Sequence, residues 1–376
     1  MRLPPYYPQP PKETPINWKR WIQSLLLVVT CSLLITNIFW PESKPIKTPL
    51  FWSFSLVFPL IIYTFIFSIY VFINRLMLYS RDIHIKKTTE DEGKWWQYQS
   101  AYLPIIDVII IGCLGSKQND WSMLIRNNPV PPLPIKENEH LILRCPLLLG
   151  NKINRDEILA KSLANKIVEK FENIDSSIKC VFWLGSEHSM NVFIECLQED
   201  NKLVIANKIP ISSINDLDNI IDNYHEIHWG NGQIIVAGTN LSDEDVNPLQ
   251  SETGFVWLVS HLGKYKAHRC EITNGRDETT FALTKQLERY ASLTESPSLT
   301  IAMDNESATA FISTDWNATE HILSPYYGEI TRSSPFIAIS QVIMHCIQNN
   351  IDSNGWVSSM PDNQYIAGVV TRYEQK

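Results

Sequence analysis

The chain is short of glycine, of charge and of patterned cysteine, and each shortage closes off a class of chemistry. Its 14 glycines in 376 residues form no GxGxxG and no GxxxxGK[ST], so neither a dinucleotide fingerprint nor a phosphate-cradling loop can be drawn. The seven cysteines show no paired spacing, and an odd, scattered set is neither a disulfide framework nor a zinc ribbon. Charged residues make up 19% of the chain and leave a formal net charge of -8. An acidic chain is a poor match for phosphate backbones, so nucleic acid is excluded as the expected partner. No cofactor and no metal are expected.

What the chain has in abundance is two uncharged apolar runs, residues 21–40 and 51–73. Each is about the length that a helix needs to cross a hydrocarbon core of roughly 30 Å. Only ten residues, 41–50, separate them, with prolines at 41, 45 and 49, which suits a turn outside the bilayer. Trp18, Trp21, Trp40 and Trp52 stand at the ends of the runs, where amphipathic rings settle among headgroups, and are read as membrane-interface anchors. Pro59 is expected to kink the second helix. Arg2, Lys12, Lys19 and Arg20 precede the hairpin, and Arg75, Arg81, Lys86, Lys87 and Lys94 follow it, against Lys44 and Lys47 between the runs. The positive-inside rule then places both tails in the cytoplasm. The lipid bilayer is thus one expected partner, and a bacterial inner membrane the expected location.

The expected organisation is a proline-rich tail (1–20), a transmembrane hairpin (21–73), a connector turning from basic to acidic (74–94) and a cytoplasmic α/β domain (95–376). β-branched runs at 105–113, 178–184, 233–238, 255–262, 299–303 and 364–373 read as buried strands. Helical periodicity covers 154–171, with Asn154 and Glu157 as a capping pair, and also 213–224, 277–292 and 335–349. Strands alternating with helices predict a layered α/β fold with a mainly parallel sheet, and the length admits two related halves, 95–230 and 231–376.

Few residues in this domain suggest a reaction. Gly185-Ser186-Glu187-His188-Ser189 lies at a predicted strand-to-helix turn, the place of a nucleophile elbow, but it lacks the second glycine such an elbow needs. Ser186 is the natural helix cap there. His225 and His228 are spaced for a metal but find no further ligand pair. His261 and His268 flank an expected hairpin turn at Gly263. Asp243-Glu244-Asp245 is contiguous and lacks the alternation of a calcium loop.

The layout of a proline-rich leader, a two-helix hairpin and Trp95-Trp96-Gln97-Tyr98 leading into Leu103-Pro104-Ile105-Ile106-Asp107, with later stretches at 299–304 and 364–370, resembles the inner-membrane accessory proteins of bacterial type VI secretion systems. That resemblance implies an envelope-anchored auxiliary protein with a protein partner in the secretion machinery or among its effectors. The α/β part also resembles a thiolase-like fold that has lost its chemistry: Cys113 and Cys180 fall in predicted strands, Cys145 precedes a proline, and none is expected at a strand-to-helix turn beside a glycine, where an activated thiol stands. The resulting expectation is a non-enzymatic membrane-anchored adaptor. The alternatives are a membrane-associated Ser/His hydrolase or acyltransferase, and an immunity protein against a membrane-active toxin.

Overall fold

The computed structural model describes residues 2–10, 12, 15–41, 45–46, 48–137, 140–171, 174, 177–200, 202–226, 232–241, 249–328, 330 and 332–372. His228 and the acidic run 243–245 lie outside the described residues. The chain forms two compact units, Pro4–Trp95 and a second one of Met1–Leu3 with Trp96–Lys376.

In the first unit α1 (Trp18–Phe39) begins at Asn17, whose side chain accepts from the Arg20 amide at 3.2 Å. A proline-led turn, α2 (Pro49–Trp52), passes through a π turn at Ser53–Val57 into α3 (Phe58–Gln99). The expected connector 74–94 is helical and continues α3: it contains no proline and a single glycine, so nothing interrupts the helix. The irregularity expected at Pro59 falls just ahead of it, where the π turn relieves the ring's clash with the preceding turn. α1 and α3 interlock through aromatic rings. Trp21 lies 4.9 Å from both Phe67 and Tyr70, Trp18 lies 5.4 Å from Phe67, and the Ser24 and Tyr63 hydroxyls meet at 2.7 Å. At the other end Trp40 packs on Phe51 at 5.2 Å. Both helices are long and apolar enough to cross a membrane, and their apolar windows are unburied.

The second unit runs β1 (Tyr102–Ile111), α4 (Gln118–Ser122), α5 (Leu124–Asn127), β2 (Ile135–Glu137), β3 (His140–Leu143), α6 (Lys152–Lys170), β4 (Ser177–Leu184) and α7 (Glu187–Glu195). It continues through β5 (Val204–Ile205), β6 (Lys208–Ile211), α8 (Asp216–Glu226), β7 (Gln233–Asn240), β8 (Leu249–Ser251), β9 (Thr253–Val259), β10 (Tyr265–His268) and β11 (Glu271–Thr273). It closes with α9 (Asp277–Tyr290), β12 (Thr300–Ala302), α10 (Asn305–Ala310), α11 (Ser324–Tyr327), α12 (Ser334–Asn349), β13 (Ser353–Met360) and β14 (Gln364–Arg372). The cap of α6 is Asn151, which accepts from the Asn154 amide at 3.0 Å, one turn ahead of the expected Asn154.

Among the described residues the main sheet has the order β12-β13-β14-β10-β1-β9-β7-β4-β5, with β6 also on β4 and β11 on β14. Only β4 with β5, β6 and β7, and β12 with β13, run parallel. The sheet is therefore mixed, where a mainly parallel one was expected. The reason lies in the side-chain pattern. Along β9, Phe255, Trp257 and Val259 enter one core layer and Val256 and Leu258 the other, and β1, β4 and β7 alternate in the same way. Helices cover both faces, α6 and α7 on one and α8 and α12 on the other. An antiparallel strand such as β9 is then buried on both sides and reads as a continuous apolar run, which sequence alone attributes to parallel strands.

The segment between β9 and β10 is not a hairpin turn. Both strands pair with β1, on its opposite edges, so residues 260–264 carry the chain across its start. A Cβ on Gly263 would stand 2.4 Å from the Pro104 carbonyl carbon, a crossing that only glycine permits. The division expected at 230/231 falls in a segment outside the described residues, and the sheet itself is continuous through β1.

Candidate active site at the carboxyl ends of β4, β6 and β7

Where parallel strands end and the following helices begin, an open α/β sheet leaves a crevice. Here β4, β6 and β7 end at Leu184, Ile211 and Asn240, and a cleft of about 790 Å³ opens over them. Leu184, Ile211 and Leu241 give it an apolar floor; Asp156, Ser186, His188, Thr239, Arg332 and Ser333 supply the polar groups. Gly185 has φ +145, and a Cβ there would stand 2.9 Å from the Thr239 hydroxyl, so the turn from β4 to α7 closes against β7 only with glycine.

Asp156, in the second turn of α6, joins the two strand ends. One carboxylate oxygen accepts from the Ser186 hydroxyl at 2.8 Å and the other from the Thr239 hydroxyl at 2.8 Å. Ser186 caps α7, accepting from the Ser189 amide at 3.0 Å. Beneath it the fully buried Ser189 hydroxyl lies 2.9 Å from that of Ser186 and accepts from the Trp183 indole at 3.2 Å. Ser186 is thus both the expected cap and a hydroxyl aimed at a carboxylate. Sequence reasoning missed Asp156, since nothing in its neighbourhood marks one carboxylate on a helix as facing a distant turn.

The other candidates disperse. His188 pairs with Glu157 at 2.8 Å, so the expected Ser/His couple is not assembled in the hydrogen bonds of this turn. His225 meets the Tyr102 carbonyl at 2.8 Å, and the His261 and Ser260 side chains meet at 3.3 Å. His268 is buried, bonds the Thr371 hydroxyl at 2.8 Å, and is lowered by desolvation to a pKa of about 3, so it is neutral. Among the described residues no three His, Cys, Asp or Glu side chains converge as metal ligands.

Cys113 requires a correction. It stands past the end of β1, beside Gly112 and ahead of α4, which is the strand-to-helix turn from which all cysteines were expected to be absent. It is not activated there. Burial raises its pKa to about 12, and its thiol donates to the Tyr326 carbonyl at 2.6 Å. Burial likewise raises Cys145 to about 11 and Cys180 and Cys346 to about 12, and it raises Cys270. A thiolate nucleophile is therefore disfavoured at all five positions.

The architecture is a thiolase-like α/β fold with a mixed sheet, preceded by two apolar helices. Among solved structures the ishigamide ketosynthase/chain length factor matches over 72% of this chain and 100% of its own, at 10% identity with a TM-score of 0.50. The PfaC keto synthase-chain length factor matches over 73% of this chain and 43% of its own, at 8% identity and a TM-score of 0.50. No family model and no curated protein matches the sequence. These neighbours overturn the resemblance to type VI secretion accessory proteins, and the non-enzymatic adaptor reading falls with it. The stretches that carried that resemblance are pieces of buried framework: 102–111 is β1, 300–302 is β12 and 364–372 is β14. Such runs occur in any sheet covered on both faces and identify no system.

Proposed function

We propose that this chain is a membrane-anchored acyl-transfer enzyme in which Ser186 is the nucleophile and Asp156 its proton acceptor. The observation that carries this reading is the 2.8 Å hydrogen bond from Ser186 to Asp156 at the wall of the cleft. The ketosynthase names of the fold neighbours support acyl chemistry by analogy only. The Ser186 oxygen attacks the carbonyl carbon of an acyl thioester while its proton passes to Asp156; the carbon–sulfur bond breaks, and the departing thiolate takes that proton. A second nucleophile, an acceptor hydroxyl or water, then releases the acyl group from Ser186 by the reverse sequence. The first turn of α7 offers amide N–H groups without intrahelical acceptors, the natural support for the developing oxyanion.

The two apolar helices are proposed to span a bacterial inner membrane, with Trp18, Trp21, Trp40 and Trp52 at the headgroups and both tails in the cytoplasm. The distribution of lysine and arginine supports this orientation. The test is thiol release from medium-chain acyl thioesters by the full-length protein in lipid nanodiscs. Ser186→Asn keeps a capping side chain but removes the hydroxyl, and should abolish release. Asp156→Asn should lower it by about 10²- to 10⁴-fold. Release that is unchanged in Ser186→Asn, or no release from the wild-type protein, overturns the reading.

A further inference from the structure

The second residue of the chain is held by the unit that follows the hairpin. Residues 1–3 cluster with Trp96–Lys376, although Pro4–Trp95 form the other unit. The Arg2 guanidinium pairs with Asp218, lies 3.6 Å from Glu271, and donates to Gln99 at 3.2 Å and to the Cys270 carbonyl at 3.4 Å. Its backbone is gripped as well: the Arg2 amide donates to Glu271 at 2.9 Å, and the Gln286 side chain donates to the Arg2 carbonyl at 2.7 Å.

The walls of this socket are built around charge. Glu271 is 2% exposed and accepts from the Tyr290 hydroxyl at 2.8 Å. Arg269, also buried, pairs with Asp218 at 3.1 Å and with Asp222, and stacks 4.3 Å over the Tyr98 ring. Three carboxylates thus face two guanidiniums, one net negative charge; without Arg2 they would face one, leaving two. A buried carboxylate without its cation is strongly disfavoured, so the socket calls for a second guanidinium, whose planar fork of donors suits several acceptors at once.

We infer that Asp218, Glu271 and Gln286 form an arginine socket filled in cis by Arg2, latching the segment ahead of the first apolar helix to the domain behind the second. If both helices cross the bilayer, as proposed above, the latch holds the two ends of the hairpin on one face. A single crossing could not satisfy it. The latch itself does not depend on that reading, because its contacts lie within one unit.

The experiment uses full-length protein in sealed liposomes with Cys31→Ser, which removes the exposed native thiol and leaves the six buried ones. Spin labels are placed singly at Leu3→Cys and Ile312→Cys, two exposed positions of the same unit. The expected result is an immobilised Leu3 label whose immobilisation is lost in Arg2→Ala and only partly kept in Arg2→Lys, which has the charge without the fork of donors, with the Ile312 spectrum unchanged in both. A membrane-impermeant broadening agent should reach both labels from the same side. A Leu3 label that is mobile in the wild type, or equally immobile in Arg2→Ala, overturns the latch. Labels broadened from opposite sides overturn the common face, while loss of membrane association with an intact latch would instead count against the two-span reading.

Discussion

The two ends of the main sheet are built differently. At one end β4 lies among β5, β6 and β7, all parallel to it, so that helices begin where strands stop and the cleft opens between them. At the other, only the short edge strand β12 runs parallel, to β13, and β13 and β14 run antiparallel over eight registered pairs from Ser353–Thr371 to Met360–Gln364. Their connection is a three-residue turn with Asp362 and Asn363 in the left-handed region. A tight turn brings the chain straight back, and Trp356 is buried beside it. The cleft thus lies where three neighbouring parallel pairings place several strand ends side by side.

The sharpest way to break this contrast is to crowd each end with one methyl group. A Cβ on Gly238 would meet the Leu184 carbonyl oxygen at 2.5 Å, where β7 lies against β4, whereas a Cβ on Gly368 would meet the Trp356 ring at 2.7 Å. Backbone in a sheet cannot turn aside as a side chain can, so Gly238→Ala should destabilise by about 3 kcal/mol and Gly368→Ala by about 1–2 kcal/mol. Denaturant melts of the full-length protein, read by tryptophan fluorescence, check the order; equal losses would show that both ends yield alike.

A pH series sharpens the comparison at the antiparallel end. His268 on β10 is neutral and buried, with its pKa lowered to about 3 by desolvation and secondarily by Lys266. The unfolded chain, with a histidine pKa of about 6.5, binds the proton first as the pH falls. The contribution of His268 is therefore complete above about pH 6.5 and is lost toward pH 3, with a slope of up to about 1.4 kcal/mol per pH unit. His268→Gln should flatten that part of the profile, measured by urea midpoints between pH 4 and 7.

The smallest expected effect is at the cleft. Ser186→Ala removes the cap of α7 and should cost about 1 kcal/mol, while Ser186→Asn should cost less because its side chain can still accept from the helix. Thermal melting of the two variants side by side separates capping from chemistry. If both lose the same stability, the cap interaction with the Ser189 amide is not what holds the turn.

Much of the framework could be read from the sequence, for reasons that also explain what could not. The apolar helices declare themselves by length and lack of charge, and the strands at the parallel end by runs such as Ile234, Ile235 and Val236. β13 was invisible because Ser353, Asn354, Gly355 and Ser358 make a polar strand of low propensity, yet six of its residues are buried by their neighbours. The course of β9 and β10 around β1 depends on the crossing at Gly263, which no local pattern encodes. In the site, Ser186 was legible as a cap from its own turn. Its partnership with Asp156, thirty residues earlier, arises only when α6 is packed on the sheet.

The most direct test of the central claim is peptide mapping by mass spectrometry after exposure of the full-length protein to an acyl thioester and rapid acid quench. An acyl ester on Ser186, absent from Ser186→Asn and diminished in Asp156→Asn, is the result predicted. An acyl group found on one of the buried cysteines, or on no residue at all, would contradict the assignment of this cleft as an acyl-transfer site.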